Sequence, residues 1–361
     1  EAPEEGGFIW VGRGARSAAV TLAITDGKVY GHIQTGDGKI YSIEPVAGRL
    51  HKISEIDQSK MLPDIHLPVP PGLQKKGETG DSPLPEAAVT PTTIYVLVAN
   101  TVAARAECST STVALDDKQC MQARINTAIS LANQAFTNSG VNIIYKRVGG
   151  QFEIAAYNEA TIYGAKNYTG VLCDLTGFAN SGSCAGIGNS QTAKFDTLRT
   201  KRTAVNADLV ILMRKAGTAC GIAWVPDPPT AGHAGYGFSV TTSTKGGSYN
   251  CLEGFTLSHE TGHNLGLHHD RFVEPAKTNP NSFVNYGYVD TNAAGRFRDI
   301  MSYPDKCNSL SITCRRLNYY STPLKNDPVS GRKLGIPKGT TGAADGVVTL
   351  NATRAIVGAY R

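Results

Sequence analysis

No run of eighteen apolar residues occurs in this chain of 361, so no segment is long enough to cross a bilayer as a helix. None of the eight cysteines stands in a CxxC pair, which leaves zinc-finger and thioredoxin readings without support. No GxSxG occurs, and with it goes the nucleophile elbow of a serine hydrolase. There is no internal repeat, and biased composition is confined to one Pro/Gly-rich stretch. The first 107 residues contain no cysteine. The chain opens at Glu1 in polar, acidic sequence without a signal peptide, and a leader removed on export is the expectation.

What is present is ordinary for a folded protein: 41% hydrophobic, 18% charged and 7% aromatic residues, enough to build a core with a second module attached. An even number of cysteines suggests four disulfides and an oxidising compartment, hence a secreted protein. Pairing between sequence neighbours (108 with 120, 173 with 184, 220 with 251, 307 with 314) is expected. The net charge of +5 is unevenly spread. Residues 1–88 hold 9 Lys/Arg against 12 Asp/Glu, whereas residues 271–361 hold 13 against 6. The basic residues are scattered and not interleaved with aromatics, so neither a nucleic-acid surface nor a membrane patch is expected.

Residues 1–61 read as a β-rich module. Apolar runs at Phe8–Val11, Ala18–Ile24, Val29–Ile33 and Ile40–Ile43 are separated by Asp26-Gly27 and Asp37-Gly38, pairs suited to tight hairpin turns. Residues 62–91 are rich in Pro and Gly and lack periodicity, as in an extended linker, with Lys75-Lys76 open to proteolysis. A second domain, 92–361, begins with the doubly buried strand pattern Ile94–Val98. An amphipathic helix at 118–138 follows, then a strand at Val141–Val148, a helix at 189–202, a strand at Asp208–Met213 and an edge strand at Tyr236–Thr242. This order predicts an α/β layer with a mostly parallel sheet. Residues 271–361 form a loop-rich, disulfide-tied portion with a helix at 351–359.

Residues 255–270 read FTLSHETGHNLGLHHD. His259 and His263 are four apart and project from one helix face. Two imidazoles so placed reach one tetrahedral zinc, and Glu260 points beside the metal, where it can take a proton from water. Gly266 can end the helix in a left-handed conformation and return His269 to the same ion. Three protein ligands leave a fourth position open, the mark of a catalytic zinc. His268 is off register and is not expected to ligate. One zinc ion is the expected cofactor, and nothing in the residues supports a structural calcium.

HETGHNLGLHHD resembles the long zinc motif of the metzincin clan. The resemblance covers roughly residues 92–361 and implies a metzincin α/β catalytic domain with subdomains 92–270 and 271–361. It implies that Met301, in Asp299-Ile300-Met301-Ser302-Tyr303-Pro304, lies in a tight turn beneath the metal. Asp270 and Cys220-Gly221-Ile222-Ala223-Trp224 are similar to the adamalysin/reprolysin branch. Tyr303 departs from that branch and resembles astacins and serralysins, where such a tyrosine steadies the tetrahedral oxyanion. Residues 31–56 resemble the reprolysin pro-region. Size and cysteine placement are similar to the bacterial peptidyl-Asp metallopeptidases of the Asp-N type.

The implied function is a secreted zinc endopeptidase in proenzyme form, monomeric, acting on proteins and peptides, with its own propeptide as inhibitor. The alternatives are a broad-specificity protease of the same clan and an inactive metzincin-like binding protein. With no cysteine before Cys108, a propeptide thiolate on zinc is excluded, and a carboxylate can take that position. Asp64 is the candidate, with Asp57, Asp81 and His66 as rivals. The Asp-N resemblance implies cleavage before aspartate. A buried aspartate side chain needs a cationic partner. In this fold the pocket lies between the zinc helix and the segment after the Met301 turn, which points first to Arg315 or Arg316 and then to Lys306, with Arg296 and Arg298 just before the turn.

Overall fold

A computed structural model describes residues 7–15, 18–25, 27–47, 50–69, 90–107, 117–157, 159, 167–178, 182–185, 187, 191–215, 217–243, 251–275 and 283–361. The N-terminal module is an antiparallel sheet of five strands in sequence order: β1 (Gly7–Arg13), β2 (Ala19–Thr25), β3 (Lys28–Gln34), β4 (Ile40–Ala47) and β5 (Leu50–Glu55). Gly27 and Gly38 sit at φ of 72° and 87° in the turns where Asp-Gly pairs predicted them. The fifth strand was not expected, because LHKISE lacks a sustained apolar run.

After a short 3₁₀ turn at Gln58–Lys60, the chain forms β6 (Asp64–Pro68), β7 (Thr92–Thr101), α1 (Val102–Ala106), α2 (Asp117–Ser139), β8 (Ile143–Arg147), β9 (Phe152–Ile154), α3 (Asn167–Thr176) and α4 (Asp196–Ala204). Next come β10 (Leu209–Arg214), β11 (Gly221–Val225), β12 (Phe238–Thr242) and α5 (Thr256–Asn264). The second sheet has the order β6-β11-β12-β10-β7-β8, with β9 also on β7. Every pairing in it is parallel except β11 with β12. The mixed, mostly parallel sheet expected from the βα alternation is therefore present.

Two expectations need correction. The strand around Tyr236–Thr242 lies inside the sheet, between β11 and β10, and is not an edge. Its hydroxyl residues suggested an exposed strand, but they are buried, and Thr242 donates to Ala219 O at 2.9 Å. Part of the presumed structureless linker is β6, which covers the outer edge of β11 in parallel, Asp64 opposite Gly221 and Pro68 opposite Val225.

Helix α2 lies between sheet and module. Met121, Ile125, Ala128, Ala132 and Ala135 face the core. Its polar side is covered by the N-terminal module, with Gln134 Nε2 donating to Thr21 Oγ1 at 2.6 Å and Arg124 paired to Glu44 at 3.1 Å. The rest of the chain is built of short pieces: β13 (His268–Asp270), β14 (Tyr286–Gly287), β15 (Val289–Asp290), β16 (Phe297–Arg298), α6 (Asp305–Asn308), β17 (Arg315–Arg316) and the closing helix α7 (Gly346–Val357). Disulfides join Cys173–Cys184, Cys220–Cys251 and Cys307–Cys314, as neighbour pairing predicts. The fourth expected pair involves Cys108, which lies outside the described residues.

Candidate metal centre

Helix α5 is buried along its whole length, so its polar side chains are there for a reason other than solvation. His259 and His263 stand one turn apart on it. The helix stops at Leu265, and Gly266 takes φ 95°. A side chain at Gly266 would meet Pro229 Cδ at 2.7 Å, so both conformation and space require glycine there. The reversal carries His269 back on β13. The three Nε2 atoms converge, with His259 to His263 at 3.1 Å, His259 to His269 at 3.1 Å and His263 to His269 at 3.0 Å.

The far side of two of these rings fixes their tautomer. His259 Nδ1 lies 2.8 Å from Ile300 O and His263 Nδ1 lies 2.7 Å from Leu267 O, so each Nδ1 carries the proton and donates it. Each Nε2 is then left with a lone pair. Burial, then the neighbouring imidazoles, holds His259 and His263 well below the usual histidine range, and burial with His66 brings His269 down to about 3. Neutral nitrogens aimed at one point repel unless a cation sits between them. Zinc, with bonds of about 2.0–2.1 Å to each nitrogen, fits this triangle. The donor set therefore suits the metal expected from the motif.

Glu260 is fully buried beside the histidines, and neither carboxylate oxygen has a hydrogen-bond partner among the described residues. Burial, then the charge of Asp64, raises its pKa well above the usual carboxylate range. Room for it comes from Gly221 on β11, where a Cβ would lie 2.6 Å from the Glu260 Cδ. Tyr303 stacks over the cluster, its ring centroid 4.3 Å from that of His269 and 6.2 Å from that of His259. Met301 is buried beneath α5, and a Cβ on Gly262 would meet its Sδ at 2.7 Å. Asp270 ties the third histidine strand to this turn, accepting from Tyr303 N at 2.9 Å and from Phe272 N at 3.0 Å. His268 turns away to Asp227, 3.0 Å off.

Across the nitrogens lies β6. Asp64 is 3% exposed, its Oδ2 is 3.7 Å from His259 Nε2, and neither of its oxygens has a hydrogen-bond partner among the described residues. Burial pushes its pKa up to about 6 against the pull of Arg316 and Arg298. His66, two residues on, meets the His269 ring edge-on with centroids 4.8 Å apart, and Glu274 Oε1 at 2.7 Å. Asp57 instead caps the turn at Gln58–Lys60, and Asp81 lies outside the described residues. Of the basic residues expected near the site, Arg316 is buried, with its Nη2 3.2 Å from His259 Nδ1, and Arg298 is buried near it. Arg315 pairs with Asp327, and Lys306 reaches Val289 O at 3.5 Å. Neither is among the cations acting on Asp64. Glu274 went unnoticed in the sequence, where no motif marks it.

The family model described as metallo-peptidase family M12B, reprolysin-like, matches residues 122–270. Two proteins named peptidyl-Asp metalloendopeptidase, from Stenotrophomonas maltophilia strains R551-3 and K279a, are 29% and 27% identical over 384 aligned positions, covering all of this chain and 79% of each relative. A third of that name, from Xanthomonas campestris pv. campestris, is 27% identical over 330, covering 90% of this chain and 66% of its own. With a convergent histidine triad inside the span that matches the reprolysin-like model, and relatives of that name along the whole chain, this protein is a zinc metalloendopeptidase.

Proposed function

We propose that the chain is the latent form of a secreted zinc endopeptidase that cuts on the N-terminal side of aspartate, with residues 1 to about 88 as a removable propeptide. The observation that carries the latency is Asp64: a buried carboxylate with no hydrogen-bond partner among the described residues, 3.7 Å from the Nε2 of His259 and carried on the strand that covers the sheet edge. Arg316 Nη2 lies 3.8 Å from it, and a metal at the imidazole nitrogens would give this buried carboxylate a second cation. Residues 1–61 act as the docking module, 62–91 as inhibitory segment and linker, and 92–361 as the peptidase. Three disulfides support an oxidising destination.

His259, His263 and His269 would hold the zinc, which when bound would supply an acidified water, of pKa about 7, and a Lewis acid for the scissile carbonyl. Glu260, kept basic by its dry setting, takes the proton of the attacking water and passes it to the leaving amine nitrogen. The Tyr303 hydroxyl donates to the oxygen on which negative charge develops. Met301 and Asp270 hold the turn and β13 against α5.

Aspartate preference is supported by the names of the relatives and by the buried arginines beside the cluster. To test it, the propeptide is cleaved from the full chain and the product is given a denatured protein with and without a chelator. New N-termini that begin with Asp, and none with the chelator present, are expected. Termini without Asp enrichment would leave the broad-specificity protease as the reading, and activity that survives chelation would remove the metal mechanism.

A further inference from the structure

Arg298 and Arg316 come from two strands, β16 and β17, paired side by side in register. Both are essentially inaccessible, at 0% and 1% exposure. Each spends part of its guanidinium on the turn that holds Met301. Arg316 Nη2 donates to Ile300 O, and Arg298 Nη1 donates to Ser302 O at 2.9 Å. Arg316 Nη1 also donates to Gly254 O at 2.6 Å, just before α5. The two heads are thereby fixed between the start of the histidine helix and the methionine turn.

One nitrogen of each guanidinium also meets the same atom of the pro-segment, the sulfur of Met61. Arg298 Nη2 is 3.4 Å from it and Arg316 Nη1 is 3.3 Å from it. A thioether is a weak acceptor, and two guanidiniums are far more donor capacity than it can use. A carboxylate at the same point takes charge-assisted bonds from both forks. The place is also right for a residue flanking the scissile bond. Met61 is three residues from Asp64, within about 10 Å along an extended chain, and Asp64 faces the histidine nitrogens.

Charge balance points the same way. Asp64 is the pro-segment carboxylate nearest the pair, 3.8 Å from Arg316 Nη2. When the pro-segment leaves, that carboxylate and the Met61 sulfur leave with it, and an incoming acid can take their place beside the two guanidiniums. The module also holds Arg316 by its backbone. Arg316 N donates to Gln58 Oε1 at 2.8 Å, and Gln34 Nε2 donates to Arg316 O at 3.0 Å.

We propose that Arg298 and Arg316 together form the floor of the pocket that selects an acidic side chain next to the scissile bond, and that Met61 plugs this pocket in the latent chain. Inhibition is then two-pointed, with Asp64 at the metal and Met61 in the specificity pocket. The inference rests on the Asp-directed reading above.

The test compares the processed parent, Arg298→Met and Arg316→Met on matched peptides that differ only in Asp or Leu after the cut. The expected result is a fall of about 10²-fold or more in the Asp/Leu ratio of kcat/KM, the Asp peptide losing far more than the Leu peptide. A purely structural role for the arginines would lower both peptides together and leave the ratio unchanged, and that result overturns the pocket. A parent with no Asp preference overturns the Asp reading itself, a different outcome. Because either variant can fail to fold, a synthetic peptide of residues 56–69 is also titrated against the unvaried processed enzyme. Carrying Met61→Asp, it should inhibit at least about tenfold more tightly than the native peptide. Equal or weaker inhibition overturns the plug.

Discussion

Substituting Gly221→Ala tests the geometry around Glu260 without touching any titratable group. A Cβ at this position would lie 2.6 Å from Glu260 Cδ and 2.7 Å from its Cγ. Reaching ordinary contact requires the carboxyl carbon to move by roughly 0.8 Å. The strand cannot absorb the shift easily. Gly221 pairs with Thr241 in β12, and the adjacent Cys220 is bonded to Cys251. The glutamate must therefore move, and misplacing a reacting group by about 1 Å costs on the order of 10²-fold. The processed variant should keep its zinc and its KM and lose about 10²-fold in kcat, with about 1–3 kcal/mol of overpacking cost visible as a lower Tm. Zinc content is read by elemental analysis and kcat from a fluorogenic peptide. Because both changes disable one group, Gly221→Ala combined with Glu260→Ala should be no slower than Glu260→Ala alone. A Gly221→Ala enzyme within threefold of the parent would refute the argument.

Other perturbations follow from the same geometry. Glu260→Ala should bind zinc and lose about 10²–10⁴ in kcat, the usual contribution of a proton-transfer group. A variant that still digests casein at the parental rate would rule out that role. Asp64→Ala in the uncleaved chain should hydrolyse a short peptide that the uncleaved parent does not, and equal inertness would move the block elsewhere on β6. Asp299 is pushed from 3.8 to about 7 by burial, against its hydrogen bond from Ser302. The folded state therefore binds the extra proton between those values, and stability falls as pH rises from about 4 to about 7. Asp299→Asn should flatten that part of the pH–stability curve in urea melts, and an unchanged slope would assign it to another group.

The zinc helix was legible because its information is local: five positions over eleven residues set the ligand spacing, the base and the glycine reversal. The Asp-Gly hairpins and α2 were legible for the same reason. Strand β6 was not, since it is five residues long, ends in proline, and its partner Gly221–Val225 lies far along the chain. The arginines show how adjacent residues part company. On β17 the side chains alternate, so Arg315 goes to Asp327 while Arg316 turns inward to His259. Arg298 has the same inward position on the neighbouring strand, but only the pairing of β16 with β17 reveals it.

The five-stranded module has no cysteine, so no covalent tie can keep it on the peptidase once the segment between them is cut. On the proposed latent reading, the tether before the cut keeps Asp64 and Met61 at an effective concentration of about millimolar order, set by its length and stiffness. Afterwards the same contacts become a bimolecular equilibrium, and occupancy of the cleft follows the bulk concentration. On that reading, the severed module would rebind where its concentration is high, and dilution would favour the open cleft, so nicking and activation would be separable events.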